Sequence, residues 1–80
     1  GAPFLRHNNK RCWSEVLLRE YEQLVAQSAI GEVSLLDKYG ATNAAEFFAV
    51  ASEVFFEQPQ EMEKRHSHLY QQLQGFYQVN

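Results

Sequence analysis

Cysteine, glycine, proline and clustered basic charge are all scarce in this 80-residue chain, and each shortage excludes something. The single cysteine, Cys12, rules out an internal disulfide, which fits a reducing, cytoplasmic setting. No base stands beside it in sequence, so it reads as a small, partly buried thiol rather than a nucleophile. Seven basic residues face ten acidic ones for a net charge of −3, and no basic cluster extends beyond Lys10 and Arg11. The electrostatic footprint of a nucleic-acid binder is therefore missing. No apolar run reaches transmembrane length and no signal-peptide pattern stands at the start, so no membrane association is expected. Repeats, low-complexity tracts, glycine-rich phosphate loops and Ser/His/Asp arrangements are likewise absent.

Apolar and aromatic residues are plentiful by contrast. Hydrophobic content is 45%, with six Phe, four Tyr and one Trp, too rich for intrinsic disorder. A core from so short a chain stabilises it only marginally without staples or partners.

The richest stretch is Tyr39–Glu57, YGATNAAEFFAVASEVFFE. From Ala44 it reads as a helix, with no Gly or Pro until Pro59. Asn43 is a good N-cap, and Glu46 three residues later completes a capping-box pattern. At ~100° per residue, Glu46, Glu53 and Glu57 share a stripe of roughly 40°, joined only by Val50. Phe47, Phe48, Ala49, Ala51, Val54, Phe55 and Phe56 fill most of the rest, so the helix should be buried. Its acidic line then faces either a strip of solvent or a polar site within a larger protein. In the first case Glu46 serves the cap and the positive helix end. In the second it supplies a hard oxygen at a fixed position, as zinc sites with two His and one Glu require.

Around this helix the chain offers support. GAPFLRHNNK reads as a loop, with Phe4 and Leu5 packing onto other structure and His7 on the surface. From about Arg11 to Gln27 the pattern is helical, with Trp13, Leu17, Tyr21, Leu24 and Val25 on one arc. Glu15 and Arg19 oppose that arc as an i,i+4 pair. SAIGEVSLLDKYGATN is a connection broken at Gly31 and Gly40, anchored by Leu35 and Leu36. It presents Asp37 and Tyr39 on irregular backbone, where functional groups are often displayed. QEMEKRH after Pro59 is a short helix, and SHLYQQLQGFYQ a final one with Ser67 as its N-cap. Leu69, Tyr70, Leu73, Phe76 and Tyr77 recur at helical spacing and should pack on the central helix. His66 and His68 look like a ligand pair, but Lys64 and Arg65 would repel a cation and i,i+2 side chains diverge on a helix. Both are expected at the surface.

The wording of YGATNAAEFFAVASEVFFEQP resembles the C-terminal signature of the Mlc titration factor A family, bacterial zinc-dependent peptidases. The likeness continues through HLYQQLQGFYQVN and is looser over the first helix. Gly40 stands where Ala is usual, and Ala44 where Pro is usual at the first helical position. The family's His-Glu-x-x-His motif, which binds zinc through two His and activates water through Glu, is absent. The only histidines are His7, His66 and His68.

The resemblance implies that residues 1–80 form the C-terminal helical part of a single metallopeptidase domain. The expected fold is all-α, with about three to four helices, belonging to a zincin-type peptidase with two His and one Glu. It further implies that Glu46 is the third zinc ligand and Tyr39 the donor to the tetrahedral oxyanion. Glu53 would orient a ligand histidine or else remain solvated. The activity implied is peptide hydrolysis, as an aminopeptidase, with this piece inactive and only a weak zinc binder alone. A different role also follows from the family, which is named for sequestering the transcriptional repressor Mlc. The helices Arg11–Gln27 and His68–Gln78 would then supply a protein-binding surface. The four Phe of the central helix, lying on several sides, are expected to make the isolated chain self-associate.

Overall fold

Asn43 starts the central helix as its sequence suggests. Its side-chain oxygen accepts from the Glu46 amide at 2.9 Å, and α2 runs Ala44–Glu57 behind it. This computed structural model describes the backbone from Ala2 to Tyr77 and the side chains from Trp13 to Tyr77. Four α-helices and one 3-10 turn make up the described residues, which contain no strand. The all-α expectation holds.

The first helix is longer than its pattern suggests. α1 spans Ala2–Ala29, so the expected loop over the first ten residues is helical. Pro3 is tolerated because a first-turn residue has no intrahelical N–H bond to lose. Each Asn costs only a few tenths of a kcal/mol in a helix, too little to end one. At 1.5 Å rise per residue such a helix is ~42 Å long, and it sets the 45 Å long dimension of the molecule. The side chains of Phe4, Leu5, His7 and Cys12 lie outside the described residues.

α1 ends at a glycine that must turn left. Gly31 has φ +73°, its amide donates to Ser28 O at 3.2 Å, and Glu32 N donates to Gln27 O at 2.9 Å. This pair of bonds is a Schellman motif, which satisfies carbonyls the helix end leaves open. Beyond it, Ser34 Oγ accepts from Leu36 N at 3.2 Å and helps seat Leu36 in the core. The connection then tightens into the 3-10 turn Lys38–Ala41, capped by Asp37, whose carboxylate accepts from Tyr39 N at 2.8 Å.

α3 spans Pro59–Arg65, with Pro at its first position, where it is favoured. α4 spans Ser67–Tyr77, so His66 rather than Ser67 occupies the junction between the two. Residues beyond Tyr77, including Gln78 of the expected last helix, lie outside the described residues.

One core joins these pieces. Leu24 of α1, Leu36 of the connection, Phe47, Val50, Ala51, Val54 and Phe55 of α2, Met62 of α3, and Leu69 and Leu73 of α4 are all buried. Trp13, Leu17 and Tyr21 pack against it as their spacing suggests, whereas Val25 stays exposed. Rings continue the core along one side. Trp13 stacks on Phe76 with centroids 5.3 Å apart, and both meet Phe48 edge-on. Tyr77 Oη donates to Ser52 Oγ at 2.7 Å, tying α4 to α2.

Candidate functional site

Packing divides the surface of α2 into two parts. Phe47, Val54, Ala51 and Phe55 face the core, while Ala45, Ala49, Phe56, Glu53 and Glu57 lie in one exposed arc. Phe48 is half-buried, so the chain itself covers three of the four Phe rings, and Phe56 alone stays mostly open at 58% exposure. The helix is therefore less enclosed by apolar neighbours than its composition suggests.

The acidic stripe lies along the edge of that open arc. Glu46 is half-buried in the first turn, Val50 one turn on is buried, and Glu53 and Glu57 are exposed. The capping box is only half formed. Asn43 caps the Glu46 amide, but among the described residues the Glu46 carboxylate returns no bond to the Asn43 amide. Nor do Glu46 and Glu53 enter an ion pair there; the carboxylates that do are Glu20 and Glu61. The Glu46 carboxylate is thus positioned by a core-packed helix and has no hydrogen-bond or ion-pair partner among the described residues.

Tyr39 belongs to the turn packed against this helix. Its amide is held by Asp37 and its carbonyl accepts from Thr42 N at 3.2 Å, while its side chain is 59% exposed. Its neighbour Gly40 does not break the chain as expected; it is buried within the turn. A Cβ there would lie 3.1 Å from Leu24 Cδ2 and 3.2 Å from Val50 Cβ. Gly40 thus sits against Val50, on the same helix line as Glu46. Beside the turn, an open recess of ≈ 240 Å³ is lined by Leu24, Ser28, Glu32, Ser34, Leu36, Asp37 and Lys38.

The histidines divide differently from expectation. His68 is exposed, but His66 is largely buried, its Nδ1 2.8 Å from Glu20 Oε1 on α1. His66 is therefore not a surface residue. Its partner is 46 positions away in the chain, beyond the reach of any local pattern. Gly40 was missed for a related reason, since a glycine in a loop reads alike whether it turns the chain or lets two segments touch.

Among the described residues no three His, Cys, Asp or Glu side chains come together to hold a metal ion. No helix among them is long and apolar enough to cross a membrane. The profile of the glucose-regulated metallo-peptidase M90 family matches residues 1–78. The chain belongs to that family. An uncharacterized protein of Synechocystis sp. is 44% identical over 78 residues, covering 96% of this chain and 28% of that protein. The chain thus spans little more than a quarter of the relative's length. No solved structure matches it. Family membership agrees with the resemblance read from YGATNAAEFFAVASEVFFEQP and makes this a metallopeptidase-family chain.

Proposed function

We propose that this chain forms one wall of a zinc-peptidase site and is the C-terminal helical part of a single metallopeptidase domain. Glu46 supplies the third protein ligand, joining two histidines of a His-Glu-x-x-His segment of the intact protein. The donor chemistry fits, because a carboxylate beside two imidazoles is an established zinc ligand set. The observation that carries this reading is the Glu46 carboxylate itself. It is fixed in the first turn of a core-packed helix, half-buried, and unused by its own cap.

Zinc, when bound, polarises the substrate carbonyl and lowers the pKa of its water to about 7. The chain's own residues have supporting roles. Tyr39, outward-facing on a turn held at both its amide and its carbonyl, donates its phenolic hydrogen bond to the oxyanion of the reacting peptide. Glu53, two turns beyond Glu46 on the same stripe, accepts from the free N–H of a ligand histidine and sets the ring's orientation. The substrate is a peptide, and the reaction is removal of N-terminal residues. Peptide hydrolysis by the intact protein should be abolished by Glu46→Gln and unaffected by Glu57→Gln. Full hydrolysis by the Glu46 variant would return that residue to the cap.

A second reading rests on a different observation. Leu18 on α1 and Phe76 on α4 remain more than half exposed, on the two helices named for a partner-binding surface. That surface would hold the repressor Mlc without any catalysis. Capture of purified repressor in zinc-free buffer, lost on Leu18→Ser, would support it; no capture would remove it.

A further inference from the structure

We propose that the open arc of α2 is a docking face for another part of the same polypeptide, an apolar helix surface edged with basic side chains. This rests on the reading in which the chain is one part of a larger metallopeptidase domain.

The arc is apolar along its middle. At ~100° per residue Ala45, Ala49 and Phe56 fall within about 40° of one another, and all three are exposed. The two alanines allow a second helix axis to come close, since side-chain size at the contact sets the spacing. Phe56 closes the lane at its far end, with its ring already held. Its centroid lies 5.1 Å from that of Phe55 and 4.9 Å from that of Tyr77, both edge-on. A ring fixed in this way loses little side-chain freedom when it is covered.

The edge of the lane is purely acidic. α2 carries Glu46, Glu53 and Glu57 and no basic residue. Glu53 and Glu57 are exposed, form a like-charged i,i+4 pair, and enter no ion pair among the described residues. Glu57 also ends the helix, where the dipole is negative and a carboxylate is unfavourable. Both features cost local stability, and a cation laid against this edge relieves both. A second copy of the chain can cover the arc only by bringing its own glutamates beside these, so it is the poorer occupant. The chain covers 28% of its Synechocystis relative, and most of such a protein is left to supply the cover.

The test uses the purified intact protein with Ala49→Cys or, separately, Ala45→Cys, each keeping a small side chain. Maleimide labelling is followed by mass spectrometry on the peptide bearing each position, in buffer and in urea. A covered arc should slow labelling in buffer at least about tenfold, at a rate independent of protein concentration. Free labelling at both positions would overturn the proposal. Protection that grows with protein concentration would assign the arc to a second copy and overturn it too.

The basic edge has its own test in Glu57→Lys. Within α2 alone this change is stabilising, because it suits the helix end and removes the repulsion with Glu53. Against a basic cover it should instead lower the unfolding midpoint of the intact protein, and by less as salt rises. A raised midpoint would overturn the basic edge. None of these readouts involves zinc, so zinc retained in Glu46→Gln would sink the ligand reading and leave the docking face standing on its labelling.

Discussion

Glu20 and His66 lock the long first helix to the corner between the last two. Oε1 and Nδ1 are 2.8 Å apart, and the two side chains are only 14% and 13% exposed. A hydrogen bond to a charged group typically contributes about 1.5–3 kcal/mol, and removing one partner leaves the other buried and unsatisfied. His66→Ala and Glu20→Ala should each lower unfolding stability by about 1–3 kcal/mol, and the double variant by less than their sum. Chemical denaturation of all three checks this. Additive losses would mean the two side chains are adjacent without being coupled.

Among the described residues the bonds that hold the Tyr39 turn run through its backbone and Asp37, and none uses the Tyr39 hydroxyl. Removing it should therefore leave folding and zinc content alone and act on turnover. Loss of one oxyanion donor costs on the order of 10²–10³ in rate. Steady-state kinetics of Tyr39→Phe in the intact protein measure it directly, and a kcat equal to wild type would leave Tyr39 as a surface aromatic.

The open arc of α2 bears on association. Phe56 is 58% exposed, on the same side of α2 as the exposed Ala45 and Ala49, small residues that let a second surface approach closely. Burial is favourable by ~25 cal/mol per Å² of apolar surface. The isolated chain should form dimers through this arc at micromolar concentration, and Phe56→Ser should shift it toward monomer. Sedimentation velocity across a dilution series reads this out. A wild-type chain that stays monomeric would mean the covered core suffices, since Phe47, Phe48 and Phe55 are already packed by their own chain.

Much of this arrangement is legible in the residue order, and the exceptions share a cause. Asn43, Pro59 and the long uninterrupted run between them define α2 by local chemistry alone, so its start and end are readable. The buried side of α4 follows from the spacing of Leu69 and Leu73 in the same way. Pro3, Asn8 and Asn9 mislead because their costs are local and small, and a helix already running absorbs them. Gly40 and His66 are opaque because their roles depend on Val50, Leu24 and Glu20, which only tertiary packing brings near. Glu46 lies between these cases. Its place on the stripe is visible in sequence, yet its freedom from the capping box appears only when the hydrogen bonds of the turn are assigned.

Zinc content tests the central claim most directly. Intact wild-type protein, Glu46→Gln and Glu57→Gln would be purified in parallel, dialysed against a weak chelator and assayed for bound zinc, with this 80-residue chain titrated alongside by calorimetry. One carboxylate cannot complete a tetrahedral site. The account therefore predicts stoichiometric zinc in wild type and Glu57→Gln, loss in Glu46→Gln with the circular dichroism unchanged, and weak binding by the chain alone. Zinc retained at full stoichiometry in Glu46→Gln, or bound tightly by the 80 residues by themselves, would contradict it.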